Sequence, residues 1–185
     1  MELVFDLLVT AVSVIVVGQY TWAGKGHFAS EKMPRGALLI SFVVLITTFL
    51  FLYLTWTQAQ PLPAQIAGLA VQLFSWWLFW QAIAASKSAK LRLAFDEAGP
   101  RGLVTEGPYR YVRHPFYTSY LIFWAGWTLG LWSIVALFPV AMLIVIYVMA
   151  ARIEERKFVG TPMAAEYEAY RQKTGFFWPK IPGVA

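Results

Sequence analysis

Phe116-Tyr-Thr-Ser-Tyr-Leu-Ile-Phe-Trp-Ala-Gly-Trp-Thr-Leu-Gly-Leu-Trp-Ser-Ile-Val-Ala-Leu-Phe-Pro-Val-Ala-Met-Leu-Ile-Val-Ile-Tyr-Val-Met-Ala-Ala151 carries no charged residue. A hydrocarbon core of about 30 Å is crossed by about 20 helical residues at about 1.5 Å each, so this stretch reads as two crossings. Gly130 divides it into 116–130 and 131–151, and the few residues around Gly130-Leu-Trp-Ser133 force an antiparallel hairpin. The start of one helix and the end of the other then meet at one membrane face. Residues 114–117 and 152–155 are predicted neighbours.

Working outward, three more apolar runs occupy 3–20, 37–56 and 64–85. The expected fold is all-α: a polytopic membrane protein with five transmembrane helices, the last two forming a C-terminal hairpin over a cytosolic cofactor pocket. Composition agrees, since 59% of residues are hydrophobic, 17% aromatic and only 14% charged, far from a soluble domain. The first run begins with Glu2 and Asp6 rather than a basic segment, so it reads as a retained helix and not a signal peptide. There is no cysteine, which removes disulfides, Cys-ligated metals and thiol nucleophiles, and with only His27 and His114 no metal site is expected.

The placement of charge matters more than the net +5. All 15 Lys and Arg fall in 25–35, 87–113 and 152–180, and none lies at the N-terminus, in 57–63 or in 129–133. Five spans make these sets alternate across the membrane, which predicts a non-cytosolic N-terminus and a cytosolic C-terminus and active site. Membrane lipids, not nucleic acid, are the expected surroundings, and nothing in the pattern specifies an oligomeric state.

The chain divides into residues 1–100, with three spans and an interfacial segment, and 101–185, with the hairpin, a cytosolic helix and the chemistry. The third span carries Trp76, Trp77 and Trp80 within a dense aromatic cluster, read as lipid-facing packing or as a binding wall. Ser86-Lys-Ser-Ala-Lys-Leu-Arg-Leu-Ala-Phe95 mixes basic and apolar residues as an interfacial helix would. Asp96-Glu-Ala-Gly-Pro-Arg-Gly102 and Glu106-Gly-Pro-Tyr109 are turn-rich, marking an ordered irregular loop. Pro115 suits the first turn of the fourth span, where its missing donor costs little.

Taken alone, Glu154 and Glu155 with Arg152, Arg156 and Lys157 read as a salt-bridged helix end, and His114 as a structural hydrogen-bonding residue. The hairpin changes that reading. It brings a histidine, arginines (Arg113, Arg152), paired carboxylates and the tyrosines Tyr109, Tyr117, Tyr167 and Tyr170 around one pocket, with Tyr167 and Tyr170 at helical spacing.

Three stretches carry a resemblance: Leu103-Val-Thr-Glu-Gly-Pro-Tyr-Arg-Tyr-Val-Arg-His-Pro-Phe-Tyr117, then Glu154-Glu155 after the hairpin, then Tyr167-x-x-Tyr170 with Phe177-Trp-Pro-Lys-Ile181. Together they resemble the isoprenylcysteine carboxyl methyltransferase and phospholipid methyltransferase superfamily of integral membrane enzymes, over 101–181. The resemblance implies S-adenosyl-L-methionine as cofactor, held by Arg101, Gly102, Leu103, Val104, Tyr109, His114, Pro115, Phe116, Tyr117, Glu154 and Glu155. It also implies catalytic roles for Arg113, Arg152 and Glu155, and a lipophilic or lipid acceptor, isoprenylcysteine-carboxylate-like or phospholipid-like, met by Arg152, Tyr167 and Tyr170. The preceding spans, with Trp76, Trp77 and Trp80, face the acceptor. The family's substrate arginine corresponds to Ala151, one residue before Arg152. Ser119 stands where many relatives have glycine, and Phe176 where they have arginine.

The inventory suits the chemistry. Methyl transfer from a sulfonium is an in-line displacement that positioning and electrostatics suffice to promote. A cationic donor calls for a carboxylate, an adenine for aromatic walls, and a carboxylate for a cation or a helix N-terminus. Two other classes stay open. An NADPH-dependent reductase of the steroid-reductase type shares a His-Pro motif, although those relatives continue His-Pro-Asn-Tyr-x-Gly-Glu where this chain reads His114-Pro-Phe-Tyr-Thr-Ser-Tyr120. A transporter or scaffold would need no His114/Glu155 pairing, and a transporter would show more polar midplane residues than Gln72 and Gln81.

Overall fold

The computed structural model describes residues 2–28, 34–89, 91 and 102–180. Six α-helices follow in order: α1 (Glu2–Gly26), α2 (Arg35–Thr57), α3 (Leu62–Ser86), α4 (Pro115–Leu131), α5 (Leu137–Arg156) and α6 (Ala164–Lys173). Short 3₁₀ turns at Lys87–Ala89, Gly107–Arg110 and Ile134–Ala136 join them. Among the described residues there is no strand, only one parallel bridge between Val112 and Gly175. Arg101, most of the interfacial segment after Ala89, and the 96–102 turn up to Arg101 lie outside the described residues.

Helices α1, α2, α3 and α5 are long and apolar enough to cross a membrane, over Leu3–Gly24, Arg35–Thr57, Leu62–Ser86 and Ile134–Arg156. The chain is therefore a multi-pass membrane protein. The expected fifth span rests on α4, whose 17 residues extend about 26 Å against a core of about 30 Å. Within these apolar helices polar groups close on the backbone: Thr47, Thr48 and Thr55 donate to the carbonyls of Val43, Val44 and Phe51, each at 2.8 Å. Such bonds remove hydroxyl donors that hydrocarbon cannot satisfy. Between α2 and α3, Gln60 Nε2 donates to the Leu54 and Thr55 carbonyls at 3.1 and 3.3 Å, so a side chain completes the end of α2.

Gly130 does not divide the hairpin. Helix α4 runs through it to Leu131, and the chain reverses at Trp132, which takes the left-handed conformation (φ 49°) with its amide on the Thr128 and Leu129 carbonyls. Gly130 is spent instead on helix packing. A Cβ built on Gly68 of α3 would lie 2.5 Å from the Gly126 carbonyl oxygen and 2.6 Å from the Gly130 amide nitrogen. Gly126-x-x-x-Gly130 thus forms a small-residue seam on which the backbone of α3 rests. Phe51, Phe123, Trp124 and Trp127 fill the adjoining core, with Trp124 and Trp127 stacked at 5.9 Å.

Candidate active site

His114 and Pro115 begin α4, while Glu154 and Glu155 lie in the last turn of α5. The hairpin brings these ends together. Arg113 Nε donates to Glu155 Oε1 at 2.6 Å, and the two side chains are 9% and 18% exposed. His114 lies between the carboxylates, with Nε2 3.3 Å from Glu155 Oε1 and Nδ1 3.3 Å from Glu154 Oε2. Tyr117, one turn on, donates to Glu154 Oε1 at 2.8 Å. Tyr167 of α6 lies close to Glu155, and burial, then the charge of that carboxylate, push its phenol well above its ordinary value.

Facing a carboxylate with each nitrogen, His114 satisfies both only as imidazolium, since a neutral ring has one N–H. Burial pushes its pKa down, but the hydrogen bonds and charges of Glu154 and Glu155 outweigh it and hold the pKa above 6.5. Two cations and two carboxylates make a locally neutral cluster. Burial likewise pushes the Tyr170 phenol up to about 12, so it remains a donor, and its hydroxyl meets the Tyr109 carbonyl at 2.8 Å.

The residues after α6 close over this cluster. The Arg113 amide donates to the Gly175 carbonyl at 2.8 Å and the Gly175 amide to the Tyr111 carbonyl at 3.0 Å. Arg113 Nη1 donates to the Thr174 carbonyl at 2.6 Å, and Thr118 Oγ1 to the Phe177 carbonyl at 2.9 Å. Phe176 sits 5.0 Å from the His114 ring and 5.5 Å from the Arg113 guanidinium. Ser119 is buried and donates to the Phe116 carbonyl at 2.7 Å.

Beside Glu155 opens a cleft of about 330 Å³ lined by Arg152, Arg156, Phe158, Tyr167, Glu168 and Arg171 among others. Phe158 and Tyr167 stack with ring centroids 4.1 Å apart and 9° between planes, giving it a flat aromatic wall. Arg152 is exposed and lines this cleft. Arg156 read in the sequence only as part of a salt-bridged helix end, and Phe158 and Arg171 carried no signal beyond lying between motif residues, since only the fold of 157–167 turns them toward one another. Arg171 also pairs with Glu168 at 3.1 Å.

Several other expected site residues gather in a separate apolar cluster. Val104, Tyr109 and Phe116 are buried with Phe79, Ala82 and Ile83 of α3, and Phe116 packs 5.8 Å from His27. Pro115 is buried, and Gly102 and Leu103 are half-buried. Trp76 and Trp80 donate to Gln19 Oε1 of α1 at 2.6 and 3.0 Å, whereas Trp77 is exposed and stacks on Phe74 at 5.6 Å.

The donor set fits S-adenosyl-L-methionine: carboxylates for a sulfonium, arginines for a carboxylate and a planar aromatic wall for a purine, in a cleft of small-molecule size. No curated protein matches the chain. The phospholipid methyltransferase family model matches residues 63–162, which contain α3, the hairpin and the Arg113–His114–Glu155 cluster, and the chain belongs to that family.

Proposed function

We propose that this protein is an integral membrane methyltransferase that transfers the methyl group of S-adenosyl-L-methionine to a lipid acceptor, at a site on the cytosolic face. The observation that carries this reading is the meeting of Arg113, His114 and Tyr117 with Glu154 and Glu155 beside the Phe158–Tyr167 cleft, in a chain of this family. The family match lends no support to a reductase, transporter or scaffold.

When bound, the cofactor supplies an electrophilic methyl group on a positively charged sulfur. The chain's own residues bind and orient. The contacts of Arg113, His114 and Tyr117 hold Glu154 and Glu155 in fixed places, so little reorganisation is needed as charge shifts. Arg152 and Arg171 offer cations to anionic groups, and Tyr167 and Phe158 offer a flat apolar face. Arg152, exposed at the cleft, serves the acceptor side in place of the arginine absent at Ala151.

Supporting the cytosolic assignment is the confinement of all 15 Lys and Arg to loops on one side of a five-span arrangement in which α4 also crosses. The small deficit in α4 length is within what snorkelling flanks and local thinning accommodate. The spans before α4 shape the acceptor route, with Trp76, tied to Gln19, on its inner side.

The test incubates purified protein and a total lipid extract with methyl-labelled S-adenosyl-L-methionine and follows lipids by mass spectrometry. Label in a lipid is expected, and Trp76→Ala should raise the apparent acceptor constant without changing cofactor affinity. Failure to label any lipid, with no cofactor binding in titration, would overturn the reading.

A further inference from the structure

Helix α6 has 10 residues and buries only Tyr167 and Tyr170. A helix this short is marginal without partners, so its place depends on what holds its ends. The carbonyls left over at its C-terminus are met from elsewhere in the chain. Thr174, just past the last turn, closes on the Tyr170 carbonyl with its amide at 3.1 Å and its hydroxyl at 2.9 Å. Lys180 Nζ donates to the Arg171 and Gln172 carbonyls at 3.2 and 2.7 Å. Arg113 Nη1 donates to the Arg171 carbonyl at 3.3 Å and to the Thr174 carbonyl at 2.6 Å. Two cations at this end also suit the negative pole of the helix dipole.

The same guanidinium faces the carboxylate cluster. Its Nε–H goes to Glu155 Oε1 at 2.6 Å, and its Nη1, which carries two hydrogens, is taken up by the two carbonyls. The Phe176 ring lies 5.5 Å away. Nε and Nη1 are thus committed to the protein itself, joining the last turn of α5 to the end of α6. The cleft is lined by Arg152, Arg156 and Arg171 rather than by Arg113, and α6 supplies Tyr167, Glu168 and Arg171 to that lining. The strap that carries the Thr174 carbonyl takes its path only with glycine at 175, where a Cβ would run into the Trp178 carbonyl. That obstacle is backbone.

We propose that Arg113 is a positioning residue: its guanidinium latches the end of α6 to Glu155 and so places the Tyr167–Arg171 wall of the cleft. That this wall meets S-adenosyl-L-methionine rests on the proposed function. The latch itself does not.

Hydrogen exchange tests it in the full chain in detergent, read at the amides of the last turn of α6 and of Thr174, with α5 amides as the control for folding. Arg113→Met keeps a stem of similar length and removes every donor. Gly175→Ala keeps every donor and displaces the Thr174 carbonyl from the other side. Each is expected to quicken exchange at the end of α6 by roughly 10-fold or more, as for loss of a hydrogen bond to a charged group. Glu155→Gln frees the other end of the latch and is expected to quicken the same amides. Added to Arg113→Met, it is expected to change them by less than about twofold, because both act through one group. In Gly175→Ala the S-adenosyl-L-methionine KM is expected to rise at least about threefold with kcat held within about twofold. Wild-type exchange at the end of α6 in both Arg113→Met and Gly175→Ala, with α5 protection intact, overturns the proposal, and so does full additivity of Arg113→Met and Glu155→Gln. Faster exchange at an unchanged KM upholds the latch and removes α6 from the cofactor site.

Discussion

Glu155 takes two donors, Arg113 and His114, from the start of α4, and Tyr167 of α6 lines the cleft beside it. Replacing Glu155 with glutamine keeps its shape but leaves the Arg113 charge without a counterion in a largely buried place. Hydrogen bonds to charged groups contribute about 1.5–3 kcal/mol, so Glu155→Gln is expected to weaken S-adenosyl-L-methionine binding by roughly 10- to 150-fold. His114→Ala should act in the same direction. Unchanged titrations in both variants would place the pocket elsewhere. A pH dependence belongs to His114. Its folded-state pKa lies above 6.5, so the stability contributed by the imidazolium is fully present below about pH 6.5 and is lost as pH rises through the folded-state value. Thermal unfolding in detergent should show stability falling across that interval in wild type, and this component should be absent from His114→Gln.

At the scale of elements, the contact between α3 and α4 decides where the hairpin stands. Gly68 and Gly126 oppose each other so closely that a methyl group on Gly126 would lie 2.8 Å from the Gly68 carbonyl. The obstacle is backbone, which cannot rotate away. Gly68→Ala and Gly126→Ala are each expected to destabilise the protein by about 1–3 kcal/mol through overpacking. Gly18→Ala, where nothing lies within 4 Å, should be neutral or slightly stabilising in an exposed helix position. Equal unfolding midpoints for the three variants would show that the seam can open at no cost. Because the end of α3 meets the Gly107–Arg110 turn, where a Cβ at Gly107 would lie 2.9 Å from the Ala85 Cβ, and α4 begins at the Arg113–His114 cluster, movement at this seam should also be felt at the site.

For the whole molecule, the segregation of basic residues makes a prediction independent of any side-chain contact. A reporter fused after Ala185 should read cytosolic, and one inserted in 58–65 should read non-cytosolic. If both report the same side, an odd number of crossings does not separate them, and the five-span arrangement with α4 as a crossing fails. The proposed cytosolic placement of the cleft beside Glu155 would fall with it.

Apolar runs, basic loops and the short link near Trp132 were legible in the sequence because hydrophobic length and charge placement act locally and need no knowledge of packing. So was the meeting of residues 113–117 with Glu154 and Glu155, which follows from an antiparallel hairpin alone. What only the tertiary structure decided depends on which helix faces which. Gly130 looks like a break by its identity but serves the α3 seam, because the backbone approach it permits outweighs its weak helix propensity. Trp76 and Trp77 are adjacent in one aromatic run, yet one turns inward to Gln19 and the other outward. His27 has no motif around it in sequence and meets Ser86 Oγ at 2.9 Å only because α1 packs against α3. The cleft of Arg152, Phe158, Tyr167 and Arg171 depends on the fold of the residues between α5 and α6, where no periodic pattern specifies the direction of a side chain.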